Sequence, residues 1–300
     1  MKNSTYILKF LLLTGSLAVS SRLPAQSRDS LDNKADEYIR QQDFQHAVPI
    51  LQAAAAQGSS KSQYNYAICL LQGAGVERND SLANVFLEKA AIQNHVDAQY
   101  KLAHSYRTGR GVTQNSQKAI YWYTQAAELG DLESQMNLAA YYARGDDIPQ
   151  DTVKMLYWLT RAATQRNPKD DTIERSSVLA KNGDTVVSNT TSVGYQNSAE
   201  ITRLRYQLGS MYLAGKSVPK DSLKAYIWLL ITNENKKDIP VTEKVAKSVN
   251  LPSQEELIER TKFLESRLSA KQQKQAEKDA ATLLGRPLKN LARKFEWDLD

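Results

Sequence analysis

The sequence predicts an all-α fold, a right-handed α-solenoid of helix–turn–helix repeats closed by C-terminal capping helices. Three observations carry that prediction. The chain repeats itself at a step of 36 residues. Within each unit the apolar residues recur at helical spacing. Glycines and short polar residues recur at one place in every unit, where helices would stop and start.

The repeat is read directly from the residues. GAGVERNDSLANVFLEKAA begins at Gly73, GRGVTQNSQKAIYWYTQAA at Gly109 and GDDIPQDTVKMLYWLTRAA at Gly145, and a fourth copy, GKSVPKDSLKAYIWLL, begins at Gly215. The first two steps are 36 residues and the third is 70. The segments ahead of them, KSQYNYAICLLQ, DAQYKLAHSYRT, ESQMNLAAYYAR and RLRYQLGSMYLA, align in the same register.

Residues 1–25, MKNSTYILKFLLLTGSLAVSSRLPA, have the three parts of a secretory signal peptide: basic start, apolar run and small-residue site ending at Ala25. The run from Phe10 to Val19 is about half of what a membrane helix needs. No cysteine stands beside the cleavage site, so a lipoprotein anchor is not expected, and the mature chain is expected to be periplasmic or secreted.

Residues 26–232 form the predicted solenoid. Its first unit is an N-terminal cap, with residues 31–41 as a shortened helix and Asp43 to Gly58 as its partner; Pro49 is accommodated if that second helix starts near His46. In the next units helix A buries one face, exemplified by Ala98, Leu102, Ala103 and Tyr106. Gly109 ends it in a left-handed conformation, and Gly111 loosens the turn. Asn79, Asn115, Asp151 and Asp221 cap helix B, which carries an aromatic wedge (Phe86, Trp122, Trp158, Trp228) and alanine pairs for close approach.

The 70-residue step contains an insert, 167–200, of which 18 of 34 residues are Ser, Thr, Asn, Asp or Gly, so it is not a fifth repeat. Asn182-Gly183 within it, flanked by Val178, Leu179, Val186 and Val187, is a hairpin signal; a surface loop is the equal alternative. Residues 233–300 form the capping helices and tail. A short helix is expected at VTEKVAKSV, and capping boxes at Ser253/Glu256 and Ser269/Gln272 open two more, the last ending at Gly285. The final stretch places Leu288, Leu291 and Phe295 on one face.

These units resemble Sel-one-like repeats (SLR), relatives of tetratricopeptide repeats (TPR) with a longer loop between the helices. The match is fullest at Ala98, Leu102, Tyr106, Gly109, Gly111, Val112, Lys118, Ala119, Trp122, Ala126, Ala127 and Gly130, and weakest at the second loop glycine, where Asp147 and Ser217 stand. The resemblance implies an SLR/TPR-like solenoid whose concave groove, built from helices A, binds a protein or peptide. By that analogy the groove positions are Lys61, Tyr64, Tyr100, His104, Arg107, Arg144, Arg203 and Tyr206. Tyrosine and arginine often dominate binding surfaces, and the arginines would favour an acidic partner.

Composition excludes other classes. Apolar residues make up 41% and charged residues 24%, as in a folded chain. Removing Lys2, Lys9 and Arg22 with the leader leaves 36 basic against 33 acidic residues, which is no nucleic-acid footprint. One cysteine, Cys69, forbids an internal disulfide; three histidines without metal-ligand spacing predict no metal, and no cofactor motif occurs. No catalytic constellation is visible. Two rival readings remain, an exported enzyme of β-lactamase-like type and a self-associating cell-envelope structural protein. The first is disfavoured because the related enzymes carry paired cysteines, which this chain lacks.

Overall fold

The computed structural model describes residues 27–145, 147–165, 189–236 and 253–288. Among them the secondary structure is entirely helical, and the helices follow one another as repeated helix–turn–helix units of the solenoid type. They group into two compact units, one up to Arg78 and one from Asn79.

The first unit holds α1 (Arg28–Arg40), α2 (Phe44–Ala56) and α3 (Ser60–Gln72). Asp43 caps α2 by accepting the His46 amide at 3.2 Å, so the helix opens earlier than the sequence reading placed it. Pro49 therefore lies inside α2 rather than in its first turn. The cap fixes the start, and the proline removes only one amide donor from the ladder. Leu51, Ala54, Tyr66, Ala67 and Leu70 make the core.

The second unit continues with α4 (Asp80–Ile92), α5 (Val96–Thr108), α6 (Ser116–Glu128), α7 (Leu132–Arg144) and α8 (Thr152–Ala163). The predicted caps hold. Asn79, Asn115 and Asp151 each accept the amide three residues on at 2.9 Å, and Asp221 does so at 3.0 Å. Trp122, Trp158 and Trp228 are buried, as are the alanine pairs 90/91, 126/127 and 162/163; Phe86 is half-buried under Lys89. Of the expected helix A face, Ala98, Leu102 and Ala103 are buried, whereas Tyr106 is half-buried with Lys118 over its ring.

Gly111 does more than loosen a turn. At φ +69° it lies so close to the preceding helix B that a Cβ would stand 2.5 Å from the carbonyl of Asp80. The loop is thereby locked: the Asn84 amide donates to Arg110 O at 2.8 Å, and Arg110 pairs with Asp80 at 3.0 Å. Ser217, at the same register in the fourth repeat, keeps the bend at φ +66° although it has a side chain.

The fourth repeat consists of α9 (Asn189–Ala214) and α10 (Ser222–Lys236). The start of α9 shows that the last twelve insert positions, 189–200, are helical. Polar composition does not stop a helix that is already nucleated, because each added residue gains a hydrogen bond. The expected hairpin at 182–183, the helix at 241–249 and the tail from 289 lie outside the described residues.

Two more helices, α11 (Gln254–Glu265) and α12 (Ala270–Leu284), pack on α10 and cover the end of the array. Ser269 and Gln272 form a complete capping box, and Gly285 ends α12 at φ +66°. Ser253 caps α11 by accepting the Glu256 amide, while the Glu256 carboxylate is taken up by Tyr206 and Arg260.

Candidate functional site

The repeat register places polar side chains where a purely apolar joint would be expected. Gln63, Gln99 and Gln135 stand 36 residues apart, and all three are buried. Each donates its side-chain amide to the C-terminal carbonyl of the preceding helix B: Gln63 to Ala55 O (3.2 Å), Gln99 to Ala91 O (3.0 Å) and Gln135 to Ala127 O (2.9 Å). Each of those carbonyls also accepts a turn amide, from Gly58, Asn94 and Gly130 respectively, and the glutamine occupies its second lone pair. In the fourth repeat the position is Arg205, 1% exposed, whose Nε donates to Ala163 O at 2.7 Å. The longer side chain also reaches Gln165 O at 3.3 Å.

On α5, α6 and α7 the structure gathers half of the predicted groove residues. Tyr100, Tyr123 and Tyr141 form a ladder, with ring centroids 5.9 and 6.3 Å apart. Tyr123 and Tyr141 are its buried floor, and Tyr100 is half-buried beside them. Arg107 lies across the ladder, its Nε donating to Tyr123 Oη at 3.3 Å. Arg144 sits over the Tyr141 ring at 5.8 Å.

The electrostatics are basic on balance. Burial raises the Tyr100 phenol above its usual range, and its hydrogen bond to Glu133 adds to the rise. Tyr123 is raised by burial, with Arg107 opposing. For His104 burial lowers the pKa, helped by Arg107, Lys101 and Arg110, so the imidazole is neutral at pH 7. Among the described residues no carboxylate is paired with Arg107. The hydrogen bond to Tyr123 holds the guanidinium in place, a preorganised fork for a carboxylate.

The other predicted positions go elsewhere. Lys61 and Tyr64 belong to the first compact unit, where Lys61 pairs with Asp36 and Tyr64 is half-buried. Arg203 is paired with Glu200 on its own helix at 2.8 Å. Tyr206 donates to Glu256 at 2.5 Å under the guanidinium of Arg260, 5.2 Å from the ring. Burial and that carboxylate push the Tyr206 phenol up to about 12. Since the raised value favours the protonated phenol, this tie between α9 and α11 is fully present below the unfolded value near 10 and is lost as pH climbs toward 12.

The sequence reading missed Tyr123 and Tyr141, although a signal was there. Tyr123 aligns with Leu87, Leu159 and Leu229, and Tyr141 with Cys69, Ser105 and Met211. An aromatic residue that departs from its column is not required by the repeat's own packing. Cys69 is buried, and burial raises its thiol pKa, which fits a core residue. Among the described residues no group of three or more His, Cys, Asp or Glu could hold a metal ion, and no helix is long and apolar enough to cross a membrane.

The Sel1 repeat model matches residues 60–95, 96–131, 132–167 and 205–232. Among curated proteins none matches significantly. Among solved structures, a Sel1 repeat protein from Oxalobacter formigenes is 21% identical, with 85% of this chain and 86% of that one covered and a TM-score of 0.49. A protective antigen of uropathogenic Escherichia coli strains that displays an SLR fold is 18% identical, covering 88% and 62% of the two chains, with a TM-score of 0.45.

Proposed function

Four Sel1 repeats make this chain an SLR-type repeat protein, and on that premise we propose that it is an exported, non-enzymatic adaptor that binds an acidic protein or peptide along its helices A. One observation supports the reading above the rest. Tyr100, half-buried on a floor of buried Tyr123 and Tyr141, stands with Arg107 and Arg144, so basic forks on successive units are held against a rigid aromatic floor. Rigid aromatic area and bidentate guanidinium groups are what a binding surface uses to gain affinity at small entropic cost. The column departure at Tyr123 adds to it, because leucine satisfies the packing there in the other three repeats.

The test is a triple variant, Arg107→Glu with Arg144→Glu and Arg203→Glu, used as bait against the envelope fraction. Capture of the partner seen with the wild-type chain is expected to vanish while the helical circular-dichroism signal is retained. Undiminished capture by a folded triple variant rejects the basic surface.

Export has its own measurement. The mature chain is expected in the envelope or medium, with Gln26 as its first residue after loss of 1–25. Mass spectrometry of the native protein that finds Met1 through Ala25 intact on the main species would remove export from the proposal.

A further inference from the structure

The joint between the third and fourth repeats differs from the others in ways that the repeat itself exposes. An aligned column is an internal control: the residue that recurs is the one packing demands. Met136 stands where the other repeats carry Tyr64, Tyr100 and Tyr206. Met155 stands where they carry Ala83, Ala119 and Ala225, and Met211 where they carry Cys69, Ser105 and Tyr141. Met136 and Met155 therefore depart from their columns, whereas no residue recurs in the column of Met211; the sequence has only one other methionine, Met1.

The three methionines converge. Met136 on α7, Met155 on α8 and Met211 on α9 line one cleft of about 460 Å³, together with Ala140, Leu159 and Leu204. At the same joint Arg205 replaces the glutamine of the other repeats, and this longer side chain ties α9 to the end of α8. The volume falls in the range of pockets that take a small ligand or a few peptide side chains. Unbranched thioethers make walls that reshape around an apolar guest.

The mouth is basic. Arg203 and Lys216 line it. Arg203 in turn is held by Glu200 at 2.8 Å. Among the described residues that line the cleft two are cations and none is a carboxylate, which leaves positive charge around an apolar interior.

We propose that this cleft is the specificity pocket of the adaptor: it takes the apolar side chains of a peptide whose flanking residues are acidic. The proposal rests on the peptide-binding reading above and adds to it the place and chemistry of the anchor. Carboxylates on the peptide meet Lys216 and compete with Glu200 for Arg203. The buried side chain displaces water from the methionine walls.

The methionines are themselves the reporters. Protein with isotope-labelled methionine methyls is titrated with three pools of hexapeptides: Asp-Asp-X-X-Glu-Glu with X drawn from Leu, Ile, Met and Phe, the same apolar pairs flanked by lysines, and Asp-Asp-Ser-Ser-Glu-Glu. The acidic apolar pool is expected to shift the Met136, Met155 and Met211 methyl signals. The lysine-flanked pool should bind about tenfold or more weakly at low salt, and the serine peptide should leave the signals in place. Ala140→Trp, which fills the cleft, should abolish the shifts. Gln207→Trp does the same from an exposed position on its wall, so the result survives if the first variant folds poorly.

Absence of methyl shifts with the acidic apolar pool overturns the proposal, as does equal binding of the lysine-flanked pool. Binding that is lost in Arg107→Glu but unaffected by either tryptophan variant keeps the adaptor reading and removes the cleft from it.

Discussion

Trp122→Ala is expected to destabilise the second compact unit by about 3–5 kcal/mol, the cost of emptying a large aromatic site in a packed core. The side chain is 8% exposed, and its edge meets the Tyr121 ring with centroids 5.0 Å apart. It occupies the column of Phe86, Trp158 and Trp228, the wedge of every helix B. Alanine there leaves a void beside Ala119 and Ala126, which are fully buried and too small to collapse into it. Tyr121→Ala is the matched control: its ring is 55% exposed, and a change of at most about 0.5 kcal/mol is expected at such a site. Both are read from urea unfolding of the full chain. A loss below about 1 kcal/mol for Trp122→Ala would show that the wedge is not core.

Arg205→Gln is expected to cost about 2–3 kcal/mol, even though glutamine is the residue at all three equivalent positions. In the other repeats an amide spans the gap to the preceding carbonyl at 2.9–3.2 Å. At the fourth the guanidinium makes two such bonds, to Ala163 and Gln165, from a site that is 1% exposed. The shorter amide cannot make both, and a buried carbonyl left without a donor carries most of the penalty. A neutral Arg205→Gln would mean that the second bond, to Gln165, adds nothing to the fourth joint.

Local chemistry made much of the fold readable from the residues alone. Asn79, Asn115 and Asp151 cap their helices because a short side-chain acceptor reaches an amide three residues on, whatever packs around it. Gly73, Gly109 and Gly145 end helices at φ of 71–74°, a conformation that penalises any side chain. The site was less legible, since it depends on partners far away in the chain. Tyr206 looks like a groove residue by its column, yet its phenol belongs to Glu256, fifty positions later. Arg203 was in principle readable, because Glu200 stands one helical turn before it. Reading by column alone overlooked that neighbour. The start of α9 was hidden because polar residues favour loops by composition, while helix continuation is decided at the end already formed.

The glutamine ties bear on how such a chain can lengthen. Each tie has an amide on one unit and an alanine carbonyl on the unit before, both set at the same place in a 36-residue module. A tandem duplication of residues 96–131 would carry a donor and an acceptor together, so the copy brings its own fastening and asks for no second mutation. A duplication that crosses into the fourth unit would not, because its donor is an arginine that spans two carbonyls, Ala163 and Gln165, in place of one. The array is open to growth in its regular part and closed to it at the joint where the methionines sit.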